Sequence, residues 1–214
     1  MRQHAARPFT LIELIVVMGV MILLAAVAIP AYSSLFSGRK TTIAANQLNG
    51  AVMEARAHAV SSREYTALIF DEDGSGAGGG YNRFRMAEIY YNPDSGSYSW
   101  RRWAPGADFV RLPENTIIPT GTNNLGTTSG GSEGSAGSGK APSVSNLTNA
   151  GLSDSEAPAI VFKPNGQLAG TENKNMVVRF VEANRYKADK SQTPKLPLNI
   201  NWLTCKTKFL DPVK

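Results

Sequence analysis

Few side chains in this sequence have the types and spacing that catalysis needs. Residues 130–134 read Gly-Gly-Ser-Glu-Gly and match the G-x-S-x-G pattern of a hydrolase nucleophile. That pattern requires a strand before the serine and a helix after it, whereas both flanks here are of low complexity. Only one histidine, His58, lies beyond the first ten residues. The sequence therefore indicates no set of acid, base and nucleophile, and we expect no catalytic residues and no enzyme activity.

A short acidic run is the best candidate for a metal site. Asp71, Asp73 and Ser75 match the opening of a calcium-binding loop, but Asn82 stands at the twelfth position, where such a loop requires glutamate. A turn between two strands explains the same residues. Because Cys205 is the only cysteine, the chain has no intramolecular disulfide and no cysteine-based metal site. We expect neither a metal nor a cofactor, and a buried, unreactive thiol.

The net charge of +5 comes from basic residues that are scattered along the chain. A nucleic-acid site would place such charges on one face with aromatic side chains between them. Residues 100–103, Trp-Arg-Arg-Trp, are the one candidate run. We interpret that run as the exposed end of a strand, and nucleic acid is not an expected partner.

The clearest feature is an apolar segment near the N-terminus. Residues 9–31 read FTLIELIVVMGVMILLAAVAIPA and contain a single charge, Glu13. As an α-helix this segment would be roughly 35 Å long, enough to cross a hydrocarbon core of about 30 Å. We therefore predict a transmembrane helix over residues 9–31.

Two ordinary explanations of this segment stay open. Arg2 and Arg7, the apolar run after them and the small residues at 26–28 fit a cleaved secretory signal peptide. A plain signal anchor explains the length as well. Neither gives Glu13 a purpose, although a carboxylate inside a spanning helix costs about 2.5–3.5 kcal/mol when it is central and less near an end.

Residues 9–14, Phe-Thr-Leu-Ile-Glu-Leu after a short basic leader, resemble the type III signal of prepilins and pseudopilins. The resemblance implies that residues 1–8 are a leader, that a prepilin peptidase cuts between Pro8 and Phe9, and that Phe9 becomes N-methylated. It also implies that Glu13 pairs with the terminal amine of a neighbouring subunit during assembly. Two opposite charges that meet in apolar surroundings neutralise each other, which agrees with that role.

Two prolines bear on this resemblance. Pro30 stands near the depth at which similar pilin helices carry a proline, where it frees one backbone carbonyl and can kink the helix. Pro8 is a departure, because the family nearly always has glycine before the cut and proline has no N–H to offer a protease cleft. Cleavage before Phe9 and an uncut chain both remain open.

The remainder of the chain predicts an α+β head. Apolar residues recur at three and four residue spacing from Ala44 to Ala59, which predicts an amphipathic helix over residues 32–61 with a possible interruption at Ser37 and Gly38. Residues 62–214 form the predicted β-rich head, mostly antiparallel, on which this helix packs. Its six or seven predicted strands are 65–70, 84–91, 97–103, 116–118, 159–162, 176–181 and 198–202. The Gly- and Ser-rich residues 121–151 are predicted as a flexible insertion.

Three motifs in the predicted head restrict the resemblance to one group within the pilin-like proteins. Residues 55–59 fit an Ala-Arg-x-x-Ala helix end, and residues 162–166 fit a Phe-x-Pro-x-Gly turn. Residues 199–204 are similar to a last strand, although Cys205 stands where glycine is expected. Together these motifs resemble the GspH/FimT group of minor pseudopilins.

The resemblance implies a structural subunit of a type II secretion pseudopilus first and of a type IV pilus second. Its expected partners are other pilin or pseudopilin subunits, a prepilin peptidase and methyltransferase, an inner-membrane assembly platform, membrane lipid and secreted cargo. The expected location is the inner membrane, with a single span and an extracytoplasmic head, and the filament after assembly. The alternative is a signal-anchored binding protein for a secreted substrate or DNA that never polymerises.

Overall fold

The computed structural model of the 214-residue chain describes residues 11–73, 79–120, 124–127, 139–171, 174–189 and 195–210, with only the backbone described for 27–38. The leader, Phe9 and the G-x-S-x-G residues therefore lie outside the described residues. The chain divides into two compact units, Met1–Arg39 and Lys40–Lys214. Its architecture is α+β, with a β-rich head in the second unit.

Helix α1 spans Leu11–Ser62 without interruption, so the expected break at Ser37 and Gly38 is wrong. It ends where the hydroxyls of Ser61 and Ser62 donate to the carbonyl of His58, at 3.1 and 2.7 Å. The next residue, Arg63, has a φ of 57°, a left-handed conformation that cannot continue a right-handed helix.

The head contains thirteen strands among the described residues and a second, short helix. The strands are β1 Tyr65–Asp71, β2 Gly80–Tyr81, β3 Arg83–Asn92, β4 Ser97–Trp103, β5 Val110–Arg111, β6 Thr116–Pro119, β7 Leu125–Thr127, β8 Gly139–Lys140, β9 Ser143–Ser145, β10 Glu156–Phe162, β11 Met176–Glu182, β12 Leu196–Ile200 and β13 Thr207–Phe209. Helix α2 spans Ala183–Ala188, and a 3-10 helix spans Leu147–Ala150. Each of the seven predicted strands corresponds to an observed one.

Five strands close into a ring. Strand β1 pairs antiparallel with both β3 and β10, and β10 then pairs with β9, β9 with β4, and β4 with β3. The β4–β9 pair is parallel, and β5 extends the sheet beyond β3. Each of the five strands therefore has a neighbour on both sides over at least part of its length. The core inside the ring mixes small side chains such as Ala67, Ala87 and Ala159 with larger ones such as Ile69 and Ile89, all of them buried.

A second sheet has the order β13-β12-β11-β6-β2, with β7 also paired to β11 and β8 paired to β7. The carboxyl half of α1 packs between elements of the head, because its buried face shares one core with strands of both sheets. The core members from α1 are Ala44, Ala45, Leu48, Val52, Ala55 and Ala59, each 0% exposed. Strand β1 is buried on both faces, since Leu68 and Phe70 join this core while Ala67 and Ile69 enter the ring.

The predicted flexible insertion at about residues 121–151 contains paired strands at its two ends. Strand β7 pairs with β11, and β9 pairs with β4 and β10. Apolar side chains inside the polar stretch anchor these pieces, because Leu125 is 4% exposed and Val144 and Leu147 are fully buried. Residues 128–138, between the two ends, lie outside the described residues.

Candidate functional site

The amino-terminal part of α1 presents an apolar surface. The twelve large apolar side chains between Leu11 and Leu24 are each 50% to 77% exposed. Glu13 is exposed in the first turn of the helix, where a negative charge interacts favourably with the helix dipole. No helix in the described part of the chain is long and apolar enough to cross a membrane.

The other predicted site residues are placed only in part. Pro8 and Phe9 lie outside the described residues, so cleavage and methylation stay predictions. Pro30 lies within the helical backbone of α1, and its side chain is among those not described. The predicted kink also stays a prediction.

The three head motifs come together at one place, which we call the motif junction, formed by Arg56, Val60, Gly166, Thr204 and Cys205. A guanidinium nitrogen of Arg56, Nη1, donates to the carbonyl of Thr204 at 2.5 Å. The thiol of Cys205 donates to the carbonyl of Gly166 at 3.2 Å. The helix end, the turn after β10 and the turn after β12 are therefore joined by direct hydrogen bonds.

Gly166 allows this close approach. Its φ is +78°, and an added Cβ would lie 3.0 Å from Cγ2 of Val60 and 3.1 Å from Nε of Arg56. Both the backbone conformation and the lack of space therefore favour glycine. These contacts explain physically why the turn at residues 162–166 ends in glycine.

Cys205 is fully buried, as predicted. Burial raises the pKa of its thiol, and the Arg56 guanidinium acts in the opposite direction. Its φ is 53°, which lies in the left-handed region of backbone conformation that glycine adopts without strain. The sequence expectation of glycine here thus has a conformational reason, and the buried sulfur supplies the hydrogen bond to Gly166 that glycine would lack.

The acidic run at 71–73 is explained by ion pairs. Asp71 accepts from the guanidinium of Arg83, its direct partner across β1 and β3. Asp73 accepts from the amide of Asn82 at 2.6 Å and lies 3.2 Å from Nη1 of Arg111. No group of three metal-ligating side chains is found within the described ranges, and Ser75 lies outside them.

The Trp-Arg-Arg-Trp run lies in β4, and acids of the protein itself pair with its cations. Arg101 lies 3.1 Å from Glu64, and Nε of Arg102 donates to the buried carboxylate of Glu88 at 2.6 Å. His58 contacts the same carboxylate, with 3.8 Å between Nε2 and Oε1. Through the carboxylate of Glu88, His58 and Arg102 therefore link α1, β3 and β4, while Arg101 joins β4 to Glu64 in the turn after α1.

Comparisons with known proteins give two similar solved structures. The type IV minor pilin FimU of Pseudomonas aeruginosa has a TM-score of 0.43 and 11% identity, over 84% of this chain and 97% of that chain. The minor pseudopilin EpsH of the Vibrio cholerae type 2 secretion system has a TM-score of 0.44 and 12% identity, over 82% of this chain and 98% of that chain. No family model matches the sequence, and no curated protein matches it.

Proposed function

We propose that this chain is a structural subunit of a pilus-like filament, a minor pseudopilin of a type II secretion system or a minor pilin of a type IV pilus. The observation that carries the proposal is the exposed apolar part of α1, in which Glu13 is the only charge between Leu11 and Ala26. A head with its own closed core accompanies this segment, so the apolar surface is not needed to complete the fold of the head.

An apolar surface of this extent is unfavourable in water, at about 25 cal/mol for each Å². Lipid would cover it before assembly, and the equivalent helices of other subunits would cover it afterwards. We therefore place the protein in the inner membrane with its head outside the cytoplasm, and afterwards in the filament. Its partners are other subunits, the assembly platform and secreted cargo.

Glu13 would set how far the helix of one subunit is displaced along the helix of the next. Processing before Phe9 by the prepilin peptidase would create a charged terminal amine four residues from Glu13. Within a bundle of apolar helices, an amine and a carboxylate are favourable only when they meet. Glu13 of one subunit and the methylated Phe9 amine of the next would form that pair.

Filaments sheared from cells that express an epitope-tagged chain test the proposal. We expect the tagged chain in the sheared fraction as well as in the membrane fraction, at a low ratio to the major subunit. A non-polymerising anchored binding protein would stay wholly in the membrane fraction. Recovery only there, from cells whose filaments are otherwise normal, would reject the filament role.

A further inference from the structure

The half of α1 that packs on the head has a second face, turned away from the core of the head. Between Ile43 and Ser61 this face carries nine exposed residues, and Glu54 is the only charged one among them. Its three large apolar side chains, Ile43, Met53 and Val60, are 49% to 50% exposed. A helix face that stays in water usually carries charged side chains, whereas the centre of a protein interface is depleted of them. The composition of this face is therefore typical of a surface that another molecule covers.

The spacing of these residues indicates what kind of surface covers them. Six of them follow one another at alternating steps of three and four residues, and we call this set the outer stripe: Ile43, Asn46, Gly50, Met53, Ala57 and Val60. These steps are those of the a and d positions of a coiled coil, at which the side chains of two helices interlock. The outer stripe is about 26 Å long. Its spacing fits a second α-helix better than a loop or a strand.

The small residues of the outer stripe allow close approach of that helix. Gly50 and Ala57 are one heptad apart and both are exposed. A Cβ added at Gly50 would meet no heavy atom within 4 Å, so the space in front of this residue is open. Small side chains at such positions let two helix backbones come close together, and the apolar side chains before and after them can then interlock.

A second copy of this chain supplies a helix that fits. The same helix α1 carries the exposed apolar residues Leu11–Leu24, which under the proposed function lie in a membrane. Two copies held in one membrane by the same segment have parallel helices at equal depth. Each residue of the outer stripe then lies opposite its equivalent, and the two Asn46 amides can bond to each other. A single asparagine in such a seam favours this register over a shifted one.

The residues that flank the outer stripe are compatible with this pairing. In a parallel coiled coil, each flanking residue on one side lies near the residue five positions later in the partner helix. The pairs formed in this way are Thr42 with Gln47, Asn49 with Glu54, and Arg56 with Ser61. None of them brings like charges together, so no charge repulsion at the flanks opposes self-association.

We propose that the outer stripe binds the outer stripe of a second copy of this chain, as a parallel two-helix coiled coil that forms in the membrane before filament assembly. The two heads then lie on opposite sides of the helix pair, because each head covers the opposite face of its own helix. The proposal rests on the proposed function only in placing both copies in the same membrane.

Disulfide cross-linking in membranes tests this pair. Two full-length chains with different epitope tags, each carrying Met53→Cys, are expressed together, and the isolated membranes are treated with copper–phenanthroline. Thiols that face each other across the seam are near enough to form a disulfide. We expect a dimer that contains both tags. The unmodified chain should give none, since its one cysteine, Cys205, is fully buried.

Two further comparisons locate the contact. Glu54 is exposed and adjacent to Met53 but lies outside the outer stripe, so Glu54→Cys should give at least about fivefold less dimer. Adding Ala57→Glu to the Met53→Cys chain places like charges opposite each other and should lower the dimer about tenfold. Adding Gln47→Glu instead, at an exposed position outside the stripe, should leave it unchanged. Circular dichroism of the purified chains confirms that each variant is folded.

Three results would overturn the pair: Met53→Cys gives no more dimer than Glu54→Cys, Ala57→Glu leaves the dimer unchanged, or Met53→Cys cross-links only to a different protein. The filament role is judged separately in the sheared fraction. A chain that enters filaments but does not cross-link in the membrane contradicts the pair and leaves the filament role standing. A chain that cross-links but never leaves the membrane supports the pair and contradicts the filament role.

Discussion

Glu13→Ala should leave the protein in the membrane fraction and remove it from sheared filaments. Loss of a buried ion-pair partner costs about 3–5 kcal/mol, so incorporation should fall by more than about tenfold. The head should keep its stability, because Glu13 lies in the unit Met1–Arg39 and the core of the head lies in the other unit. The measurement is quantitative immunoblotting of sheared and membrane fractions.

Glu54→Ala is the matched control, since Glu54 is an exposed acid on the same helix but outside the apolar segment. It should enter filaments normally. Glu13→Gln keeps the shape of the side chain but removes its charge, and it should be lost from filaments as Glu13→Ala is. If the two Glu13 variants are incorporated at the level of the unmodified chain, Glu13 has no role in assembly.

Gly166→Ala should destabilise the head more than the same change at a described glycine that has a positive φ but open surroundings, such as Gly151. The left-handed conformation costs an alanine about 1–2 kcal/mol, and displacement of Arg56 and Val60 adds to this, so we expect a loss of about 2–4 kcal/mol in the free energy of unfolding. Urea unfolding followed by circular dichroism and tryptophan fluorescence measures it.

Two other glycines separate the conformational cost from the cost of displacing neighbouring side chains. Gly151 has a φ of +80° but no heavy atom within 4 Å of an added Cβ, so Gly151→Ala should show the conformational cost alone. Gly50 is helical and equally open, and Gly50→Ala should stabilise the helix by about 0.5–1 kcal/mol. Equal losses for Gly166→Ala and Gly151→Ala would show that the motif junction is not tightly packed.

The strongly patterned elements were predictable from sequence. The buried face of α1 follows the apolar spacing from Ala44 to Ala59, and β4 has the predicted bounds. For α1 a repeating apolar pattern extends over several turns, and for β4 the turn residues at 92–96 indicate where the strand begins. Burial then follows the pattern because the apolar side chains leave water together.

Short and irregular elements were not predictable. Strand β2 has two residues and α2 has six, too few for a period to show, and contacts with neighbours hold them in place. Strand β12 begins at Leu196 and includes Pro197, a residue that argues against a paired strand. It also ends at Ile200, before the predicted Trp202, because the side chain of Asn201 accepts the N–H groups of Leu203 and Thr204 and starts a turn.

The sequence identifies the residues of the candidate site but does not show how the fold brings them together. The apolar segment and Glu13 are visible in sequence because a charge there is unusual. The motifs around Arg56 and Gly166 were also visible, yet their meeting with Thr204 and Cys205 depends on contacts between residues up to 148 positions apart. Similarly, the closed ring depends on which strands pair, and strand sequences alone do not specify that.

The N-terminal residue of the mature chain tests the central claim most directly. Intact-mass and tandem mass spectrometry of protein recovered from sheared filaments should show a chain that begins at N-methylated Phe9 and keeps the whole apolar segment. A chain that begins at Ile29, after removal of residues 1–28, would contradict the claim, because the helix proposed to assemble the filament would be gone. An intact Met1 would contradict processing before Phe9 and with it the pairing of Glu13 with a new terminal amine.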